Sequence, residues 1–333
     1  MGYFHFFIAF MLISFNLFSG NSDTTEFVPK GKPIVSIFSN FNTSITDEYN
    51  NSGFEIKRAY LGYKYQMSEE FSTCIKLDIG NPNDESQYSL LGRYAYFKTA
   101  ELSYKKGKLT WNFGIISLHQ FKFQEKFWAH RYIEKSFQDK YKFGSSADIG
   151  SSVFYKLNKY VSVDLTIMNG EGYTRLQIDN TYKAGAGISL FPFKGFSVRF
   201  YYDYSEKSVV QSTIASFIGY KFKNLFSLGS GYNYQKNNEF DLNHNLYGFS
   251  VFGMFNINEK WQIFGRYDKL ESNILSDKEN PWNNTKNGEA IIGGVQFSPI
   301  KKIKISANYQ SWMTDTNDIS NFQMVYINFG YKI

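Results

Sequence analysis

Apolar and polar residues alternate along most of this chain with a period of two, the period of a strand whose two faces meet different surroundings. In 71–80, Phe71, Thr73, Ile75, Leu77 and Ile79 fall on one face, against Ser72, Cys74, Lys76, Asp78 and Gly80. In 160–169, Val161, Val163, Leu165 and Ile167 oppose Ser162, Asp164, Thr166 and Met168. In 302–312, Ile303, Ile305, Ala307 and Tyr309 oppose Lys302, Lys304, Ser306, Asn308 and Gln310. The pattern predicts sixteen strands: 33–42, 54–67, 71–80, 93–105, 108–117, 145–157, 160–169, 182–192, 196–205, 212–222, 226–236, 246–257, 261–271, 288–298, 302–312 and 321–333. Two are irregular. Strand 212–222 does not sort cleanly into faces, and 93–105 carries Lys98 on what should be its apolar side.

The connections alternate in length as regularly as the residues alternate in polarity. Seven are tight: SEE at 68–70, KG at 106–107, NK at 158–159, FKG at 193–195, KNL at 223–225, NEK at 258–260 and PIK at 299–301. The eight between them are mostly longer. Short turns at one end and long loops at the other are the mark of a transmembrane antiparallel β-barrel. An even strand number returns both termini to the short-turn side. The predicted fold is therefore all-β, a barrel of sixteen strands spanning 23–333, wide enough for an aqueous channel.

One long interval breaks the alternation, LHQFKFQEKFWAHRYIEKSFQDKYKFG at 118–144. Phe123, Phe127, Ile133, Phe137 and Tyr141 recur there at steps of four, six, four and four, with His130 filling the gap of a helical stripe. The expectation is a third outward loop folded into the lumen as a constriction. Its stripe would pack on the wall, and its basic face would meet the water path. The other reading is an amphipathic loop across the rim.

Composition narrows the class further. Aromatic residues reach 20%, with 26 Tyr and 34 Phe, yet mean hydropathy is negative. After the N-terminus no run of about twenty apolar residues exists, which excludes a helical membrane protein. Many strands begin or end in aromatics, such as Trp111, Tyr155, Tyr182, Trp261 and Tyr267, as interfacial girdles require. Residues 1–22 read as a secretory signal peptide, with small residues at Gly20–Asn21–Ser22. Cys74 is the single cysteine, so no intrachain disulfide forms.

With the apolar sets facing lipid, the lumen receives Arg58, Lys64, Lys76, Lys156, Lys183, Arg199, Arg266 and Lys304. It also receives Asp78, Glu101, Asp148, Asp164, Asp203 and Asp268, which nearly balance them. The 118–144 segment is less balanced. Lys122, Lys126, Arg131, Lys135, Lys140 and Lys142 stand against Glu125, Glu134 and Asp139. Charge at the narrowest, least water-rich part of a pore dominates which ion enters, so the lean is toward anions. The candidate constriction is Lys122, Lys126, His130, Arg131, Glu134 and Lys135. Enzymatic chemistry finds little support, because His119, His130 and His244 lack metal-ligand spacing and no Ser is marked as activated. NGEGY at 169–173 lacks the following helix and Lys-Ser/Thr pair of a nucleotide loop and reads as a tight loop at a strand end.

RAYLGYKYQMSEEFS at 58–72, KLDIGNP at 76–82, the FWAHRYIEKSFQDKYKFGSSADIG run and NGEGY resemble outer-membrane porins of the phosphate-selective O/P type. The resemblance implies a sixteen-stranded barrel, a third loop inside the pore, trimers and anion passage. Larger members carry a ladder of lumen arginines and a lysine-rich pocket; this chain has six Arg in all, at 58, 93, 131, 175, 199 and 266. FQMVYINFGYKI, ending in Ile333, resembles the terminal strand read by barrel-assembly machinery, where Phe is the usual last residue. The expected function is passive diffusion of small hydrophilic solutes across a bacterial outer membrane, with a weak preference for anions such as phosphate. A closed structural or adhesion barrel is the alternative, and a barrel hydrolase a third. The expected partners are the lipid bilayer, small hydrophilic or anionic solutes, the assembly machinery and two further copies of the chain. No cofactor, metal or nucleic acid is expected.

Overall fold

Each strand lies antiparallel to its sequence neighbours, and the first pairs with the last, so the sheet closes on itself. The computed structural model describes residues 27–45, 52–80, 94–273, 287–315 and 321–333. The signal-peptide segment and most of the 272–287 loop lie outside these. The strands are β1 Lys30–Ser44, β2 Ser52–Gln66, β3 Phe71–Gly80, β4 Tyr94–Lys106, β5 Leu109–Ser117, β6 Ala147–Lys156, β7 Val161–Met168 and β8 Lys183–Leu190. They continue as β9 Phe196–Glu206, β10 Val210–Phe222, β11 Phe226–Lys236, β12 Leu246–Asn256, β13 Trp261–Ser272, β14 Gly288–Ile300, β15 Ile303–Thr314 and β16 Phe322–Lys332. Closure pairs the backbone groups of every strand with neighbours on both sides, which is what allows a sheet to sit in hydrocarbon.

The period-two reading holds for facing. Ile75, Leu165, Ile214, Leu228, Val251, Ile263 and Ile327 are exposed on the outside, while Ser72, Asp78, Ser162, Asp164, Ser306, Asn308 and Asn328 are buried on the inside. Aromatic pairs band the outer ends of the strands, including Phe193–Phe196, Phe222–Phe226, Tyr234–Tyr247 and Trp261–Phe297.

Two bulges correct the sequence reading. The register between β3 and β4 slips beside Lys98, so Lys76 faces Thr99 while Leu77 faces Phe97. The extra residue turns Lys98 inward with Thr99, and both are buried. Lys98 is therefore not on the lipid face. The same slip between β1 and β2 leaves Lys57 unmatched, and it points inward beside Arg58.

A further departure is the inner face of β10–β14, which is apolar in patches. Ala215, Phe217, Phe252, Met254, Phe264, Leu270, Ala290 and Ile292 are buried there. This explains why 212–222 does not sort into faces: both sides of β10 carry apolar residues, the outer for lipid and the inner for the β5–β6 connection.

Candidate functional site

Residues 118–146, between β5 and β6, do not form one helix. Helix α1 runs His119–Trp128 and ends where Ala129 takes a left-handed conformation, φ 56°, its N–H bonding the Glu125 carbonyl. Residues 129–136 are non-helical, and a short α2 follows at Phe137–Lys140. The expected single stripe is thus broken at its step of six, between Phe127 and Ile133. His130 fills no helical gap. It is fully buried, its ring 4.4 Å from Phe264 and 5.0 Å from Trp128, with Nδ1 2.8 Å from the Trp128 carbonyl oxygen.

Aromatic packing holds this segment to the inner wall. Phe123, Phe127, Trp128, Tyr132 and Ile133 form one buried cluster with Phe217, Phe252, Met254, Phe264 and Ile292. Burying each such side chain is worth about 1.5–3 kcal/mol. Wall cations complete the attachment by donating to its free carbonyls. Lys57 Nζ reaches Ile133 at 2.8 Å, Lys221 reaches Lys126 at 2.7 Å, Lys304 reaches Ala129 at 3.2 Å, and Arg266 bonds the Lys135 carbonyl. Tyr132 donates to Gln296 at 2.9 Å and Tyr141 to Asp268 at 3.0 Å. Non-helical backbone away from bulk water needs such partners.

Six of the fourteen wall charges expected to line a water path are instead joined in three ion pairs. Arg58 lies 3.2 Å from Asp78, and Arg266 donates to both oxygens of Asp268 at 2.8 and 2.7 Å. Arg199 meets Asp164 at 2.7 and 2.9 Å and reaches Gln120 of α1 at 2.6 Å. Asp203 is buried on β9. Within the segment, Arg131 is held between Glu125 at 3.1 Å and Asp139 at 3.9 Å, and donates to Tyr60 at 3.4 Å. Burial pushes the Glu134 carboxyl upward, but Lys57, Lys140 and the Lys135 N–H outweigh it and hold the group well below the usual carboxylate range.

Lys64, Lys76, Lys122, Lys126 and Lys304 form no ion pair among the described residues and border cavities. Lys64 lines one of about 610 Å³ near the short turns, together with Glu101 and Asp164. Lys76, Lys122, Lys126 and Lys304 line another of about 470 Å³, bounded by the segment and by β1–β4. Lys98, Lys301, Lys302 and Lys332 border the same cavity, whose acids, Glu125 and Asp139, both face Arg131. Lys135 is half-buried. Period-two reading places neither Lys57 nor Lys98 in the lumen, although the signal is present: the outward apolar set steps by three from Ile56 to Ala59 and from Phe97 to Ala100. Asp148 accepts N–H bonds from Ile149, Gly170 and Gly172 at 2.7–3.1 Å, so NGEGY is a loop tied to the strand end. Among the described residues no His, Cys, Asp and Glu group could hold a metal.

No protein-family model matches the chain, and no curated protein matches it. Solved structures do. Salmonella typhi OmpF, in complex with daunomycin, matches with a TM-score of 0.68 and 12% identity, over 91% of this chain and 97% of that one. The anion-selective porin of Comamonas acidovorans matches with a TM-score of 0.68 and 9% identity, over 92% of this chain and 100% of that one. The outer membrane channel DcaP of Acinetobacter baumannii matches with a TM-score of 0.63 and 11% identity, over 92% of this chain and 97% of that one. No family model and none of these three structures singles out the phosphate-selective group. At these identities the likeness is one of architecture: the chain has the fold of the outer-membrane porins.

Proposed function

We propose that this protein is a passive diffusion channel of a bacterial outer membrane, passing small hydrophilic solutes with a lean toward anions. The observation that carries the reading is a closed barrel with an apolar outside whose inner cavity is bordered by lysines and few free acids. Segment 118–146 would be the constriction. Its aromatic side packs on β10–β14, and Lys122 and Lys126 face the remaining passage along β1–β4. The fold shared with an anion-selective porin supports the same direction. Three copies in the membrane, an N-terminal export signal and a terminal strand read by the assembly machinery complete the proposal.

The corrected geometry moves the selectivity residues. Arg131 is neutralised where it stands, whereas Lys76, Lys122 and Lys126 have no acid within ion-pair distance among the described residues. In a planar bilayer the purified protein is expected to conduct, and a salt gradient should give an anion-signed reversal potential that shrinks as screening shortens to about 3 Å at 1 M. Replacing Lys76, Lys122 and Lys126 together by Glu should reverse the sign. Absence of any conductance would leave the closed-barrel alternative standing.

A further inference from the structure

On the long-loop side of segment 118–146, a second cavity of about 520 Å³ has a different character. Trp312 of β15 and Phe322 and Tyr326 of β16 face inward there, and Tyr141 comes from the segment's end. Tyr141 and Trp312 lie with ring centroids 5.7 Å apart and planes inclined at 38°. One side of this pair packs on the buried cluster of Phe137, Phe143, Leu246 and Leu270. The Tyr141 hydroxyl is tied to Asp268 at 3.0 Å. The rings are thus fixed from behind and border the cavity with what remains, Phe322 being 45% exposed.

Charges of both signs line the same cavity. Lys57, Lys140 and Lys142 supply donors, and Glu239 and Glu134, the latter 3.8 Å from Lys140, supply carboxylate oxygens. That combination discriminates between solute classes. An anion meets the two carboxylates, and a cation meets the three lysines. A wholly apolar molecule would strip water from all five without replacing a hydrogen bond. A pyranose has a flat C–H face, electropositive at its edge, for the negative faces of the rings. It also has hydroxyls that donate and accept. The volume lies in the range of about 300–1,000 Å³ typical of small-molecule sites.

We propose that this vestibule is a binding site for neutral pyranose sugars of one or two rings, stacked on Trp312 and Tyr326 with hydroxyls on Glu134, Lys57 and Lys140. The proposal rests on the channel reading by naming one class of solute for it. Anionic solutes would use the lysine-bordered cavity beyond the constriction instead.

Maltose added on the long-loop side of a bilayer is the test, with sorbitol as an acyclic polyol of similar hydroxyl content and no ring face. Maltose should reduce the ion current saturably, and sorbitol should not. Trp312→Ala should raise the half-blocking concentration by about fivefold or more. Tyr326→Ala serves as a second variant if the first does not reach the barrel state, judged by its mobility in SDS before boiling. An unchanged current with maltose, equal block by sorbitol, or equal block of the variants overturns the site. If the protein carries no current at all, the channel reading fails separately. Tryptophan fluorescence of the detergent-solubilised protein then decides the site: a maltose-dependent change lost in Trp312→Ala upholds it, and no change overturns it.

Discussion

At Arg199 the guanidinium donates to both oxygens of Asp164 and to the Ser189 hydroxyl, and spends its Nε on Gln120 of helix α1. The group is fully buried, and a Cβ at Gly187 would collide with the Arg199 guanidinium and the Asp164 carboxylate. Such a charge acts as a fixed strut between wall and loop, so it contributes little to the field that a passing ion feels. Its removal has a calculable sign. Arg199→Met strands a buried carboxylate and should destabilise the protein by about 3–5 kcal/mol. Removing both charges, with Asp164→Leu, should restore most of that loss. The temperature at which SDS mobility shifts to the unfolded position measures both. A double variant no more stable than the single one would mean that Asp164 has other partners.

Segment 118–146 is an element with little regular structure, held by side chains that reach it from the wall. His130 makes its attachment sensitive to pH. Burial, with Lys304 nearby, pushes its imidazole down to about 3. An undocked segment would titrate near the ordinary value of about 6.5. The undocked state therefore binds a proton that the docked state refuses. Docking keeps its full stability above about pH 6.5 and loses it progressively as pH falls toward 3. Hydrogen-exchange protection in 119–134, corrected for intrinsic exchange, should fall over that window, while strand protection stays constant. His130→Phe should flatten the dependence. Equal loss in the strands would instead indicate general acid unfolding.

For the molecule as a whole, the decisive feature is the β1–β16 seam. Ser36 through Ser44 pair with Lys332 through Met324, so no strand presents an open edge. The outside is largely apolar, and the inside is largely polar except where the segment docks and where Trp312 and Phe322 border the cavity on the long-loop side. A barrel of this kind should remain folded in SDS until boiled, giving two mobilities and a strand-rich circular dichroism spectrum before heating. A single mobility with a helical spectrum would remove the basis for the channel reading.

Strand number, facing and the alternation of short and long connections were legible in the residues, because each depends on a local period or on turn length. Strand 71–80 and strand 226–236 match the observed β3 and β11 end to end. The bulges at Lys57 and Lys98 were written as steps of three in the outward set, but reading them needs the partner strand that leaves a residue unmatched. Nothing local says that the mixed faces of 212–222 receive Phe123 and Phe127, or that Arg131 meets Glu125 and Asp139. Those are meetings of residues distant in sequence or separated by a broken helix. Sequence alone determined a barrel with charged residues on its inner face. Tertiary structure decided which charges cancel, which hold the loop and which remain beside the cavity, because ion pairing depends on distances of a few ångströms that no periodicity encodes.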